Sequence, residues 1–172
     1  MKNLCVIIPV LDNGFSLFDR AIQSLKRCPE FSEMEIIIID QGSTKLETIN
    51  VLKKLEKRNK NIIVQWKSGR KRESPDSKYV TLLRPEQEIN DLSYSYMLKE
   101  LSINKGLELI FGYTRIYTGK ERIKRGKYYS KDKIINNPET FLPKVKFSNP
   151  LFQSSMFSSD LLQKISVNCL YD

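Results

Sequence analysis

An α/β fold with a mostly parallel central sheet flanked by helices is predicted by two features of the amino-acid sequence. Short β-branched runs, "NLCVIIPV", "EIIIID" and "NIIVQW", are apolar on both faces, as strands covered by helices on each side must be. Between them lie segments with apolar residues at helical spacing. The order strand, helix, strand, helix, strand is the signature of parallel strands joined by crossover helices.

The first run, residues 3–10, is too short for a helix and reads as a buried central strand. The turn "LDNG" follows, and then Phe15, Phe18, Ile22 and Leu25 recur at helical spacing until Pro29 ends the helix. The second strand spans 35–40. "GST" opens a second helix, in which Thr44 and Glu47 form a capping box and Leu46, Ile49, Leu52 and Leu55 form the apolar stripe. A third strand covers 61–66. After the basic loop "KSGRKRESPDSK" comes the strand "YVTLL", then a helix around 89–101 with Ile89, Leu92, Tyr96 and Leu101 on one side. "LELIFGYTRIY" reads as another strand and "TGKE" as a turn. Pro138, Pro143 and Pro150 then punctuate an irregular stretch before a short final helix around "SSDLLQKI".

A chain of 172 residues has the size of one domain, so 1–172 is read as a single unit. No apolar run approaches the roughly 20 residues of a membrane span. "LCVIIPV" is too short, and too quickly followed by Asp12 and Asn13, to be a secretory signal, so a cytoplasmic protein is expected. Cys5, Cys28 and Cys169 form no CxxC pair, which argues against a zinc site or a disulfide framework. Histidine is absent. Acid–base chemistry within the chain must therefore come from carboxylates, lysine or tyrosine.

The net charge of +9 suits a partner rich in negative charge: nucleic acid, an anionic membrane face or a phosphate-bearing substrate. The excess gathers in 67–78 and 115–133, and either cluster can equally be a solvated face. Tyr113, Tyr117, Tyr128 and Tyr129 lie in or beside the second cluster, the pattern of a nucleic-acid module. No RNP, KH or helix-turn-helix signal accompanies them. An anionic membrane surface, at which the protein would sit peripherally, or a polyanionic glycan intermediate is the better expectation for that cluster.

In an open parallel sheet, ligands bind beyond the carboxyl ends of the strands. The residues to weigh are therefore Pro9 to Asn13, Asp40 to Thr44, Trp66 to Lys71 and Arg84 to Glu88. Neither GxGxxG after the first strand nor GxxxxGK[ST] anywhere is present, which disfavours a dinucleotide-binding enzyme and a P-loop ATPase.

"VIIPVLDNG", a helix, and then "EIIIIDQGST" resemble the opening of a family 2 glycosyltransferase, whose usual form is close to VIIPVYNN followed by EIIIVDDGST. "KYVTLLRPEQEI" resembles that family's strand ending in a DxD motif, and "LFQSSMFSSDLLQKI" its late segment. The resemblance implies the GT-A (Rossmann-like) nucleotide-diphospho-sugar transferase fold, with residues 1–90 as the nucleotide-binding half and 91–172 as a reduced acceptor-side half. It implies a UDP-sugar donor and, in an active member, transfer with inversion in a polysaccharide or protein glycosylation pathway.

Position by position, the resemblance places Pro9, Val10 and Asp12 at the base and ribose, and Asp40 on the acid that hydrogen-bonds uridine. A strand-end acid that caps the next helix would look the same. Gln41 stands where the family has a second aspartate. The segment joining the third and fourth strands is too short for the family's glycine-rich turn and helix, and its Lys67, Arg70, Lys71 and Arg72 are candidates to face a diphosphate. At the DxD position, Arg84 falls on the first aspartate and Glu86 on the second, so a single carboxylate remains to hold Mn2+ or Mg2+. Asp172 is the one acid near the place of the family's catalytic base.

Two readings follow. In one, Arg84 and the 67–72 cluster replace the metal with fixed positive charge. In the other, the chain is a catalytically silent subunit that binds and stabilises an active transferase, or a homo-oligomer built on the same scaffold.

Overall fold

The four apolar runs of the first half are adjacent parallel strands in the computed structural model, which describes residues 2–67, 75–104, 107–111, 116–118, 121–123 and 155–164. They are β1 (Lys2–Val10), β2 (Glu35–Asp40), β3 (Ile62–Gln65) and β4 (Ser77–Leu82). Two short later strands, β5 (Leu109–Phe111) and β8 (Ser155–Ser158), complete a six-stranded sheet of order β3-β2-β1-β4-β8-β5. β1 pairs in parallel with β2 on one side and β4 on the other, while β8 runs antiparallel to both β4 and β5. The fold is thus the mixed α/β sheet with flanking helices that the pattern predicts.

Alternation along β1 divides the core between the two faces of the sheet. Leu4, Val6, Ile8 and Val10 enter the larger cluster, with Ile36 and Ile38 of β2 and residues from the three main helices. Cys5 and Ile7 enter a smaller cluster with Ile37, Ile39 and Val80. Burial on both faces explains why these runs are continuously apolar.

The first helix, α1, covers residues 14–27 and is α-helical over Gly14–Ser16 and Gln23–Arg27, with a π-helical stretch at Leu17–Ile22 between. The wider π turns alter the expected phase. Leu17, Ala21, Ile22 and Leu25 are buried, whereas Phe15 is 79% exposed and Phe18 is also exposed. The Lys26 ammonium lies 6.0 Å from the Phe18 ring centre. Two of the four residues expected on the core face are therefore at the surface.

Helix α2 (Leu46–Arg58) buries Thr48, Leu52 and Leu55. Leu46 is 70% exposed, and the expected Thr44–Glu47 capping box is not made, because an acid from another loop takes its place. Helix α3 (Ser93–Ile103) buries Tyr94, Met97 and Leu101, while Leu92 and Tyr96 are exposed. Tyr94 and Met97 form the same helical spacing as the expected face, rotated around the helix, and they sit in the larger core cluster.

Of the strand expected at 107–117, the described strand residues belong to β5 and to β6 (Ile116–Thr118). β5 joins the main sheet, and β6 pairs antiparallel with β7 (Glu121–Ile123) in a separate two-stranded sheet. Helix α4 (Ser159–Lys164) follows directly on β8. β8 itself has no counterpart in the sequence reading.

Candidate functional site

The strand order places the site. The chain proceeds outward from β1 through β2 to β3, then returns to the opposite side of β1 to lay down β4. The direction of winding reverses between β1 and β4, and ligand crevices of open α/β sheets lie at such a switch point, beyond the strand carboxyl ends. Four loops border it here: those after β1, β2, β3 and β4.

The loops after β1 and β2 are tied together by Asp12. Its Oδ1 accepts the Thr44 N–H at 2.8 Å and the Lys45 N–H at 2.7 Å, and its Oδ2 accepts the Thr44 hydroxyl at 3.0 Å. The Asp12 N–H donates to Ser43 Oγ at 3.1 Å. These bonds hold the segment that leads into α2 from a different loop, and put a carboxylate near the helix start, where the helix dipole favours negative charge. Asp12 adopts φ +55, a left-handed conformation that aspartate tolerates better than most residues. The Lys45 N–H, with the two Thr44 bonds, holds its carboxyl below the ordinary aspartate range.

Asp40 ends β2 and is buried. Its two oxygens accept the Gly42 N–H at 3.3 Å and the Ser43 N–H at 3.0 Å, a local turn that shapes the loop. Gly42 has φ +106, and a Cβ there would lie 2.9 Å from Cδ and 3.4 Å from Nζ of Lys67. The lysine stem thus crosses directly over the glycine, which brings the loop after β3 against the loop after β2. Gly14, at the start of α1, permits another close approach: a Cβ would sit 2.7 Å from Thr48 Cα. Its N–H donates to Thr48 Oγ1 at 3.1 Å.

On the far side of the switch point, the Leu83 N–H donates to Ile7 O at 2.9 Å and extends the β1–β4 ladder by one bond. Arg84, Pro85, Glu86 and Gln87 then form a turn in which the Gln87 N–H donates to Arg84 O at 3.0 Å. The Arg84 N–H donates to Gln87 Oε1 at 2.8 Å. Pro85 is buried, whereas Arg84 and Glu86 are exposed.

The sequence model of the family described as Glycosyl transferase family 2 matches residues 5–73, the segment that builds β1 to β3 and three of the four site loops. By structure, the chain is similar to S. aureus TarS 1-349, with a TM-score of 0.70 at 12% identity, covering 94% of this chain and 48% of that one. It is similar to the same protein in complex with UDP-GlcNAc, with a TM-score of 0.68 at 11% identity and coverage of 94% and 47%. The chain has the fold of these glycosyltransferase structures, and its residues 5–73 match the family 2 model. A mannosyltransferase, PcManGT from Pyrobaculum calidifontis, in complex with GDP-Man and Mn2+, gives a TM-score of 0.60 at 9% identity, with coverage of 96% and 47%. This glycosyltransferase-like chain spans about half the length of these solved structures. No curated protein matches it by sequence.

Several residues singled out in this glycosyltransferase-like sequence meet around the switch point. Pro9 and Val10 close β1, with Pro9 partly exposed; the Val10 side chain is in the core and its carbonyl accepts the Gln41 N–H at 2.9 Å. Asp12 and Asp40 both hold the loop after β2, while Lys67, Arg84 and Glu86 are exposed on the neighbouring loops. Trp66 packs at the rim of the larger core cluster. Arg70, Lys71, Arg72 and Asp172 lie outside the described residues, as do Tyr113, Tyr128 and Tyr129; Tyr117 falls in β6.

Two residues that the sequence reading gave no role organise the loops. Ser43 accepts the Asp12 N–H, and Gln87 closes the turn at Arg84. The signal for Gln87 was present, since it lies three residues past Arg84 across a proline, the spacing of a β-turn. Nothing in the local sequence marks Ser43 as the partner of a residue 31 positions away.

The donor set gives little support for a divalent cation. Magnesium and calcium sites gather several oxygen ligands. Among the described residues, no three acidic or cysteine side chains converge. Glu86 offers one exposed carboxylate two positions from Arg84, and the Asp12 and Asp40 oxygens already accept backbone N–H groups.

Proposed function

We propose that the chain binds a UDP-sugar at the β1–β4 switch point and acts as a hexosyltransferase-type enzyme that inverts configuration. The observation that carries this reading is the set of loops at the switch point: the loop after β2, shaped by Asp12 and Asp40, and the neighbouring loops that carry the exposed cations Lys67 and Arg84. TarS, the solved structure with the same architecture, is in complex with UDP and with UDP-GlcNAc.

In this reading, the Pro9–Asp12 segment and Asp40 border the uridine, and Asp12 acts chiefly by fixing the loop that faces the nucleotide. Glycosyl transfer from a nucleoside diphosphate builds negative charge on the leaving diphosphate. Lys67 and Arg84, with Arg70, offset that charge as fixed cations. Arg84 gives planar donors suited to two phosphate oxygens, while Lys67 acts as a point charge. Glu86 stands at the one position able to contribute to a metal, and the reading needs no metal. Asp172 is the candidate base.

The 1–172 chain acts as one domain, with residues 1–90 binding the nucleotide and 91–172 forming the acceptor side. The pairing of β8 with β4 supports this unity. No helix among the described residues is long and apolar enough to cross a membrane. A cytoplasmic location, peripheral at an anionic membrane through the 115–133 cluster, fits the charge.

Differential scanning fluorimetry with UDP tests the nucleotide site: stabilisation is expected, and an unchanged melting temperature at millimolar UDP would remove the reading. Turnover with and without EDTA tests the cationic mechanism, which strict manganese dependence would refute.

A second reading is a silent subunit that binds an active transferase. The lone carboxylate at the metal position favours it. Co-purification from the native host, followed by mass spectrometry, would recover the partner. A monomer with its own turnover would eliminate this reading.

A further inference from the structure

Arg84 is the first residue beyond the sheet, at the switch point, and both of its backbone polar groups are held by one neighbour. The Gln87 N–H bonds its carbonyl at 3.0 Å, and Gln87 Oε1 accepts its N–H at 2.8 Å. Pro85, at the second turn position, is buried and fixes its own φ. The turn is thus pinned on three sides: by the ladder bond at Leu83, by the buried proline and by the glutamine. The Arg84 side chain projects into solvent with no ion pair among the described residues, and Glu86, two positions on, does not engage it.

A cation on a loose loop loses conformational freedom when it meets an anion, and fixing its backbone beforehand lowers that cost. A methylene-rich side chain at 87 could fill the same space but could not accept the Arg84 N–H. We infer that Gln87 is a positioning residue, which presents the Arg84 guanidinium to the diphosphate of a nucleoside diphosphate at the switch point. The inference rests on the nucleotide site proposed above and adds to it a residue that touches no ligand.

The test compares UDP with uridine, which lacks the diphosphate, by calorimetric titration of the full chain and of the variants Arg84→Met, Gln87→Met and the double variant. Wild type is expected to bind UDP more tightly than uridine. Arg84→Met weakens UDP by about tenfold, the scale of a charge-assisted hydrogen bond, and leaves uridine unchanged. Gln87→Met weakens UDP by about threefold or more and also spares uridine. It accelerates hydrogen exchange at the Arg84 amide while the β4 amides stay protected. In the double variant the loss equals that of Arg84→Met alone, because Gln87 acts through Arg84.

The inference is overturned if Gln87→Met leaves UDP affinity intact, weakens UDP and uridine equally, or adds its full effect to that of Arg84→Met. Equal wild-type affinity for UDP and uridine overturns it while sparing the nucleotide site. Failure to bind either ligand overturns both. Gln87→Ala, which also lacks the acceptor, is measured in the same way should the methionine variant not fold.

Discussion

Both carboxylate oxygens of Asp12 accept hydrogen bonds from the chain itself, so its first duty is to hold α2 and the loop before it. Asp12→Ala removes all three bonds at once and is expected to lower the melting temperature. Asp12→Asn, which retains one acceptor oxygen, should lower it less. The pH dependence follows from the depressed carboxyl. Its contribution is fully present above the usual aspartate value of 3.8 and is lost as pH falls through the lower folded value. Thermal melts from about pH 7 to about pH 2 should show a shallower acid limb for Asp12→Asn than for wild type. An identical limb would mean that the carboxylate is not held as described.

Gly14 supplies a second residue-scale test. Gly14→Ala would place a methyl 2.7 Å from the Thr48 backbone and should cost about 1–3 kcal/mol by chemical denaturation, despite alanine's better helix propensity. At this scale the sequence identified Asp12 and Asp40 as important acids. It placed Asp12 at the base and ribose and left Asp40 between uridine and a helix cap; that Asp12 bonds the backbone depends on where Thr44 and Lys45 lie in space.

At the scale of the elements, β8 depends on β4 through more than its ladder. The Thr81 hydroxyl, buried within the sheet, donates to Ser155 O at 2.6 Å. Thr81→Val preserves shape but removes the donor, and should cost about 1–3 kcal/mol while leaving the parallel strands in place. Hydrogen exchange would show the loss concentrated at β8 and β5; a uniform loss would contradict it.

The first four strands were legible because each is a continuous apolar run buried on both faces. β8, "SMFS", is too short and too polar to stand out, and only its place between β4 and β5 makes it a strand. Helix positions were legible where helix faces were not. The π stretch at Leu17–Ile22 changes the phase of α1, so Phe15 and Phe18 satisfy the spacing rule yet face outward. On α3, Tyr94 and Met97 are as apolar as Leu92 and Tyr96, and only packing against the sheet decides between two plausible stripes.

For the molecule as a whole, the order of strands in space differs from their order in the chain. β4 is the edge of the parallel half until a strand formed 73 positions after Leu82 begins to pair with it. β5 is made earlier, yet among the described strands it reaches the main sheet only through β8. The antiparallel wing is therefore completed last during synthesis, by residues 155–158. Until then the nascent sheet presents an open β4 edge, the kind of surface that recruits another chain. A polypeptide ending at residue 150 should keep the parallel strands but self-associate, as measured by light scattering, whereas one that includes β8 and α4 should remain dispersed.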